Sequence, residues 1–199
     1  MVIEEDVWDT IDPDDIWVMD KLILSRKMGY VCGPIGTDVP KPDFYIVRPC
    51  VNALGLGLGA SIPYINECTD HFTPGSFWCE VFKGRHLSVD YLDGEQILAI
   101  EGIKPSDTFT KWSKWYKVED QIPLPEILKP LSTKYKYLNA EYIDGKLIEV
   151  HFRHNPDWEE DLIEFIPVWK GQDTTPPEGY EYRDYPDIHG RIGAFLLKK

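Results

Sequence analysis

The sequence predicts an α+β fold, and three observations support this prediction. Two pairs of β-rich segments flank the dipeptides Asp93-Gly94 and Asp144-Gly145, which are strong hairpin signals. Residues 16–28 have the apolar spacing of a helix. The length of 199 residues fits one domain, or one domain with a small lobe. The composition is 43% hydrophobic and 13% aromatic, which suffices for a core and excludes wholesale disorder.

The first half of the chain is predicted to contain one helix and four strands. Asp12-Pro13-Asp14-Asp15 reads as a turn and N-cap before the helix at 16–28, and Gly29 occupies the position of a C-cap. Proline and glycine make 33–43 a connection, and alternate glycines make 52–61 a loop. The strands are predicted at 44–49, 77–82, 86–92 and 96–101.

The second half is predicted to be richer in loops. Residues 103–123 read as irregular, and 124–134 as one helix that Pro130 ends or kinks. Loops around a short amphipathic segment at 160–166 are expected over 156–185. A second hairpin at 138–143 and 147–152 and a closing strand at 191–197 complete the elements.

Charge and cysteine usage exclude several classes of protein. The net charge of −13 opposes nonspecific binding to nucleic acid, and the lysines around Trp112 and Trp115 are interpreted as a solvated face over buried tryptophans. No apolar run reaches the roughly 20 residues of a membrane span, and no basic-then-apolar leader opens the chain. The four cysteines lack a C-x-x-C pair, which excludes zinc-ribbon and thioredoxin motifs and favours a cytoplasmic protein, with Cys50 and Cys79 as buried apolar side chains.

A glycine-alternating loop follows the strand at 44–49, which ends at Arg48. Glycines at 55, 57 and 59 would let backbone N–H groups approach a phosphate closely. The spacing is neither a Walker A loop nor a G-x-G-x-x-G fingerprint, so a flexible or tightly packed loop is the alternative.

Two glutamates flank the Asp144-Gly145 turn. A two-residue turn pairs Ile143 with Lys146 and places Glu141 opposite Ile148, so a regular ladder puts Glu141 and Glu149 on opposite faces. A bulge or a longer loop would bring the two carboxylates together as a site suited to Mg²⁺. The alternative is a pair of solvent-exposed strand glutamates.

Two further polar patterns lie at strand ends. In Glu149-x-His151-x-Arg153 the three side chains share one face, where the guanidinium suits a phosphate or a transferring phosphoryl group; a salt-bridged outer face is the alternative. The segment from Glu80 to His86 ends a strand in a polar turn beside aromatic residues. Its charged and aromatic side chains would bracket a planar base. The alternative is an ordinary amphipathic strand with a turn.

The order of these features resembles the ATP-grasp superfamily of carboxylate–amine ligases. The resemblance spans residues 19–155, with Arg48 in the place of a second lysine and His151 in the place of an asparagine. Only about 18 residues precede it, so a compact form without the usual N-terminal substrate domain is expected. The matching segments are Asp20-Lys21, Met28-Gly29-Tyr30-Val31, Gly33-Pro34, Ile46-Val47-Arg48-Pro49 with the loop to Ser61, Glu80 to His86, Glu141-Tyr142-Ile143, and Glu149-Val150-His151-Phe152-Arg153.

The resemblance implies two small α+β lobes with antiparallel sheets that clamp a nucleotide. Residues 1–18 would be an N-terminal extension, 19–155 the nucleotide-binding domain with its smaller lobe at about 30–80, and 156–199 a C-terminal extension packed on that domain.

The resemblance also implies a role for each candidate residue, with ATP and Mg²⁺ as cofactors. Lys21 and Arg48 would contact the phosphates under the glycine loop, and Arg153 with Arg48 would neutralise charge on the transferring group. The residues expected at the base and ribose are Glu80, Phe82 and His86, and those expected at the metal are Glu141, Glu149 and His151.

The implied reaction is the ATP- and Mg²⁺-dependent joining of a small-molecule or peptide carboxylate to an amine through an acyl phosphate. A non-catalytic nucleotide-binding or protein-interaction module on the same fold is the first alternative, with the tryptophans and tyrosines near the two ends as an interface for a protein partner. A metal-dependent hydrolase is the second, and its residues would be Glu141, Glu149, His151 and His154.

Overall fold

The computed structural model describes residues 8–51, 57–105 and 111–199. In these residues twelve strands form two antiparallel sheets, which confirms the predicted α+β class. The smaller sheet has four strands, in the spatial order β1 (Cys32–Pro34), β4 (Ser76–Glu80), β2 (Asp43–Pro49) and β3 (Tyr64–Ile65). All four lie within the segment at which a smaller lobe is expected.

The larger sheet has eight strands, and it contains both predicted hairpins. Residues 156–199 supply three of these strands, so that segment is part of the sheet. The spatial order is β11 (Glu181–Ile188), β12 (Arg191–Lys198), β10 (Leu162–Trp169), β7 (Lys114–Lys117), β6 (Glu95–Ile103), β5 (His86–Leu92), β8 (Tyr137–Ile143) and β9 (Lys146–His151).

The predicted single helix at 16–28 is wrong, because Asp20 divides it. A 3₁₀ helix occupies Pro13–Met19, capped by Asp12, and the α-helix α1 begins separately at Lys21–Lys27. Asp20 is extended, and its carboxylate accepts the backbone N–H groups of Leu22 and Ile23 at 2.9 and 3.0 Å. Because Asp20 caps α1, Lys21 is the first residue of that helix.

Three other regions also differ from the prediction. The helix expected at 124–134 is a 3₁₀ turn at Glu126–Leu128 followed by the short helix α2 at Lys129–Ser132, where Pro130 lies in the first turn and does not end the helix. Strand β7 lies within the segment 103–123 that was expected to be irregular, β10 lies within the expected loops at 156–185, and β11 begins within them. Strand β11 could not be recognised from its polar sequence. It lies at the edge of the sheet, and an edge strand needs no continuous apolar face.

One face of the larger sheet is covered by the helices, and this leaves the other face for a site. Alternate residues of β5 and β8, such as Val89 and Ala140, pack against Val18 and Leu24 in the main core. The residues between them, such as Ser88 and Glu141, point to a cavity on the opposite face. No helix in the described part of the chain is long and apolar enough to cross a bilayer.

Residues 81–85 connect the two sheets, and Gly84 shapes this connection. Its φ is +136°, and a Cβ at this position would lie 2.6 Å from Cβ of Asp144. We expect Gly84→Ala to lower the free energy of unfolding by about 1–3 kcal/mol, because strain in the backbone is added to the clash. Urea denaturation measures the change. Gly171→Ala is the control, because its φ is +90° but no described atom lies within 4 Å of the added Cβ; equal losses in the two variants would contradict the role of Asp144.

Candidate functional site

A cavity of about 430 Å³ lies between the two sheets. This volume is in the usual range for small-molecule sites. Arg48 at the end of β2 connects the two walls, since its Nη2 donates to the carbonyl oxygen of Ile148 in β9 at 3.0 Å. Nine of the predicted site residues line the cavity: Lys21, Arg48, Gly57, Phe82, His86, Glu141, Glu149, His151 and Arg153.

A β-bulge places the two glutamates opposite one another. Ile143 pairs with Lys146 and Tyr142 with Leu147, as the two-residue turn requires. The register then shifts by one residue, so that Glu141 pairs with Glu149 instead of Ile148. Of the two arrangements that the sequence leaves open, the structure has the one in which both carboxylates line the same cavity.

Glu149 is the centre of a buried charge cluster. Its Oε1 lies 3.5 Å from Nζ of Lys21 and 3.2 Å from Nε2 of His151. Burial would raise the pKa of Glu149, but the hydrogen bond to His151 and the positive charges of Lys21 and Arg48 outweigh it and hold the pKa well below its usual range. The surroundings of Glu149 therefore favour its ionised form.

Desolvation makes the charged forms of the cations in this cluster less favourable. Burial lowers the pKa of Lys21, and the neighbouring charge of Arg48 lowers it further, in spite of Glu149. Burial likewise lowers the pKa of Arg48, whose Nε is buried and has no hydrogen-bond partner among the described residues. A polyanion beside Lys21 and Arg48 would relieve this cost, so the cavity wall is suited to phosphate.

Glu141 is held from the other side of the cavity. His86 at the start of β5 places its Nε2 2.9 Å from Oε2 of Glu141. The Glu141 side chain is 26% exposed and that of Glu149 is 14% exposed, so Glu141 is the more open of the two carboxylates.

The pair Glu141 and Glu149 fits Mg²⁺ by the chemistry of its donor atoms. Mg²⁺ is usually bound by one or two carboxylates together with substrate phosphates and water, not by a closed protein cage. Over the described ranges, no group of three or more His, Cys, Asp or Glu side chains is arranged to hold a metal ion. His151 contacts Glu149 directly, which is the geometry of a residue that orients a ligand.

Asp90 supports the cavity wall, and the sequence reasoning missed it. It is 3% exposed, and both its oxygens accept the backbone N–H of Asn155 at 3.0 Å. Asn139 donates to Asp90 at 2.7 Å and to Ser88 at 2.8 Å. These bonds anchor the segment that carries Arg153 into the cavity. An acidic residue within the alternating strand at 86–92 was the available signal.

Two predicted site residues, Glu80 and Gly59, are not among those that line the cavity in the described structure. Glu80 accepts the backbone N–H of Val31 at 3.0 Å, so its carboxylate ties β4 to the segment before β1. Gly59 lies near Pro49, and an added Cβ would be 3.3 Å from that ring. Gly55 lies outside the described residues.

Comparison with solved structures decides the fold. The chain superposes on a putative ATP-grasp superfamily protein from Archaeoglobus fulgidus with a TM-score of 0.53 and 14% identity, covering 92% of this chain and 64% of that one. It superposes on the L-amino acid ligase from Bacillus licheniformis with a TM-score of 0.54 and 10% identity, covering 90% and 66%.

The chain has the ATP-grasp fold.

This result confirms the resemblance seen in the sequence at the level of the fold. The chain spans about two thirds of the length of those two ATP-grasp proteins. No protein-family model matches the sequence, and a search of curated proteins returns no match.

Proposed function

We propose that this protein is an ATP-dependent ligase that joins a carboxylate to an amine. One observation carries the proposal: a single cavity between the two sheets is lined by two desolvated cations and two carboxylates. The cations are Lys21 and Arg48, and the carboxylates are Glu141 and Glu149. Cations for phosphate and acids for Mg²⁺ are the minimum that a nucleotide-dependent phosphoryl transfer needs. The L-amino acid ligase that shares the fold supports this class of reaction.

In the proposed reaction a carboxylate oxygen attacks the γ-phosphorus of ATP. The bond between that phosphorus and the bridging oxygen breaks, ADP leaves, and an acyl phosphate forms. An amine then attacks the acyl carbon, the amide forms, and phosphate leaves with the proton from nitrogen. This chain would contribute position and charge, since no covalent participation by the protein is required.

The proposed roles combine the resemblance with the side chains that line the cavity. Lys21 and Arg48 bind the phosphates, and Gly57 of the glycine loop lines the same cavity. Glu141 and Glu149 would hold Mg²⁺, which would supply charge neutralisation at the phosphates, and His151 would orient Glu149. Arg153 neutralises the group in transfer. Phe82 contacts the base, His86 lies near the ribose, and Glu80 shapes the strand end beside the base.

Thermal unfolding with and without Mg·ATP tests the nucleotide site. At one hundred times its dissociation constant a ligand adds about 2.7 kcal/mol, which for a chain of this size raises Tm by about 5–10 °C. We expect Arg48→Met to remove most of this shift, because a buried cation that meets the phosphates is lost. Arg26→Met is the matched control, since Arg26 is exposed near the end of α1. No shift with the unaltered protein at millimolar Mg·ATP would reject the proposal.

A non-catalytic nucleotide-binding protein is the second candidate function. It is favoured by the fact that both carboxylates are already paired, Glu141 with His86 and Glu149 with Lys21 and His151. A Mg·ATP-dependent shift in Tm without release of ADP, across a panel of amino acids and amines, would select this candidate over the ligase.

A further inference from the structure

Two of the four cysteines face each other across the smaller sheet. Strands β1 and β4 are antiparallel, and Cys32 lies directly opposite Cys79 in their register. Side chains that are directly opposite in a sheet project from the same face. Both side chains pack in one apolar cluster, which also contains Leu22 of α1 and Phe77. The two thiols are therefore neighbours, and both cysteines are free in this structure.

The backbone hydrogen bonds show which kind of pair the two cysteines form. In an antiparallel ladder, pairs that exchange backbone hydrogen bonds alternate with pairs that do not. The N–H of Glu80 donates to the carbonyl oxygen of Val31 at 2.9 Å, so the pair next to the cysteines is a bonded one. Pro34, two positions further along β1 than Cys32, has no N–H to donate, which fits a non-bonded position of the same alternation. Cys32 and Cys79 therefore form a non-bonded pair.

A non-bonded pair has the spacing that a disulfide needs. Its Cα atoms are about 4.5 Å apart, and its side chains are closer than those of a bonded pair. A disulfide joins residues whose Cα atoms are about 4.4–6.8 Å apart. The thiols of Cys32 and Cys79 can therefore join while β1 and β4 keep their register.

Cys50 lies in the same cluster but is too far away to compete for Cys79. The N–H of Cys50 donates to the carbonyl oxygen of Gly75, which is four residues from Cys79 in the chain. At about 3.3 Å a residue, four residues of a strand span about 13 Å. Cysteines whose Cα atoms are more than about 7 Å apart cannot be bridged without movement of the backbone. Cys68 is exposed and does not belong to this cluster.

We propose that Cys32 and Cys79 are a redox-sensitive pair that closes a reversible disulfide between β1 and β4. Cys32 is the more exposed of the two, so its thiolate attacks the oxidant, glutathione disulfide, and releases one glutathione. The thiolate of Cys79 then attacks the mixed disulfide and releases the second glutathione. Two protein thiols are oxidised to one disulfide, glutathione disulfide is reduced to two thiols, and these take up the two protons that the cysteines lose.

The bridge would form where α1 packs against the cavity wall. Cys79 lines the cavity, and its thiol is hydrogen-bonded to Ser25 of α1, the helix that begins at Lys21. Burial raises the pKa of Cys32 and raises the pKa of Cys79 to about 12. Because the thiolate is the nucleophile, exchange is slow, and the reaction has to be followed to equilibrium.

Equilibration of the folded full chain in glutathione buffers, from fully reduced to fully oxidised, tests the proposal. Free thiols are then alkylated, and mass spectrometry of the intact protein and of its peptides identifies the bridge. We expect a monomer that has lost two hydrogen atoms, with Cys32 joined to Cys79, and dithiothreitol should restore both thiols. A native protein without this bridge in the most oxidising buffer, or a bridge between another pair of cysteines, would overturn the proposal.

Three variants locate the bridge. Cys32→Ser and Cys79→Ser should each abolish the loss of two hydrogen atoms, whereas Cys50→Ser, the matched control from the same cluster, should retain it. In Cys79→Ser we also expect a mixed disulfide of glutathione with Cys32, since the first step needs only that thiol. An intramolecular bridge that persists in Cys32→Ser would contradict the assignment. The peptide map of the unaltered protein decides even if Cys79→Ser does not fold.

Discussion

Replacement of Glu149 by Gln is expected to abolish ATP-dependent ADP release and to lower the free energy of unfolding by about 3 kcal/mol. The stability loss arises because the neutral amide leaves Lys21, which is 5% exposed, without its opposing charge. The activity loss arises because an amide is a weak ligand for Mg²⁺. Urea denaturation and a coupled ADP assay measure the two effects.

Glu141→Gln is the matched control for this result. Glu141 is more exposed and pairs with His86, so the same change should reduce ADP release but cost less than about 1 kcal/mol of stability. Full activity of Glu149→Gln would reject the metal assignment. Unchanged stability would show that Lys21 does not depend on Glu149 for its burial.

Replacement of Arg153 by Gln is expected to lower kcat about 10²–10³-fold while the affinity for Mg·ATP changes by no more than a few-fold. Arg153 lines the cavity on a segment that is held by Asp90, whose carboxylate accepts the backbone N–H of Asn155. A cation that acts on charge in the transition state affects the rate more than the binding of the ground state.

Calorimetry with a Mg·ATP analogue and steady-state kinetics separate these two quantities. Arg153→Lys is a second informative variant, because it keeps the positive charge but not the planar fork of donors of the guanidinium. We expect it to retain part of the kcat that Arg153→Gln loses. An equal loss of affinity and rate in Arg153→Gln would show that Arg153 binds ATP in the ground state, and not the group in transfer.

Strong local signals explain why much of the fold could be predicted. The hairpins at Asp93-Gly94 and Asp144-Gly145 could be predicted because their turns require positive φ at both central residues, and few dipeptides other than Asn-Gly and Asp-Gly meet this requirement. In the structure Asp93 and Asp144 have φ of +49° and are followed by glycines with positive φ. The strand at 86–92 was found because its apolar residues alternate toward the core. Strands β7 and β10 were missed because they are stabilised by pairing with each other and with distant strands, and not by a local pattern.

The sequence by itself determined the α+β class, the two hairpins, and the order of the charged residues that resembles the ATP-grasp superfamily, because each of these depends on neighbours in the chain. Only the tertiary structure decided that Glu141 and Glu149 lie opposite one another, because one extra residue in the ladder reverses the face of every side chain beyond it. It alone also decided where the tryptophans lie: Trp115 and Phe165 are 50 residues apart in the chain, and they meet because β7 pairs with β10.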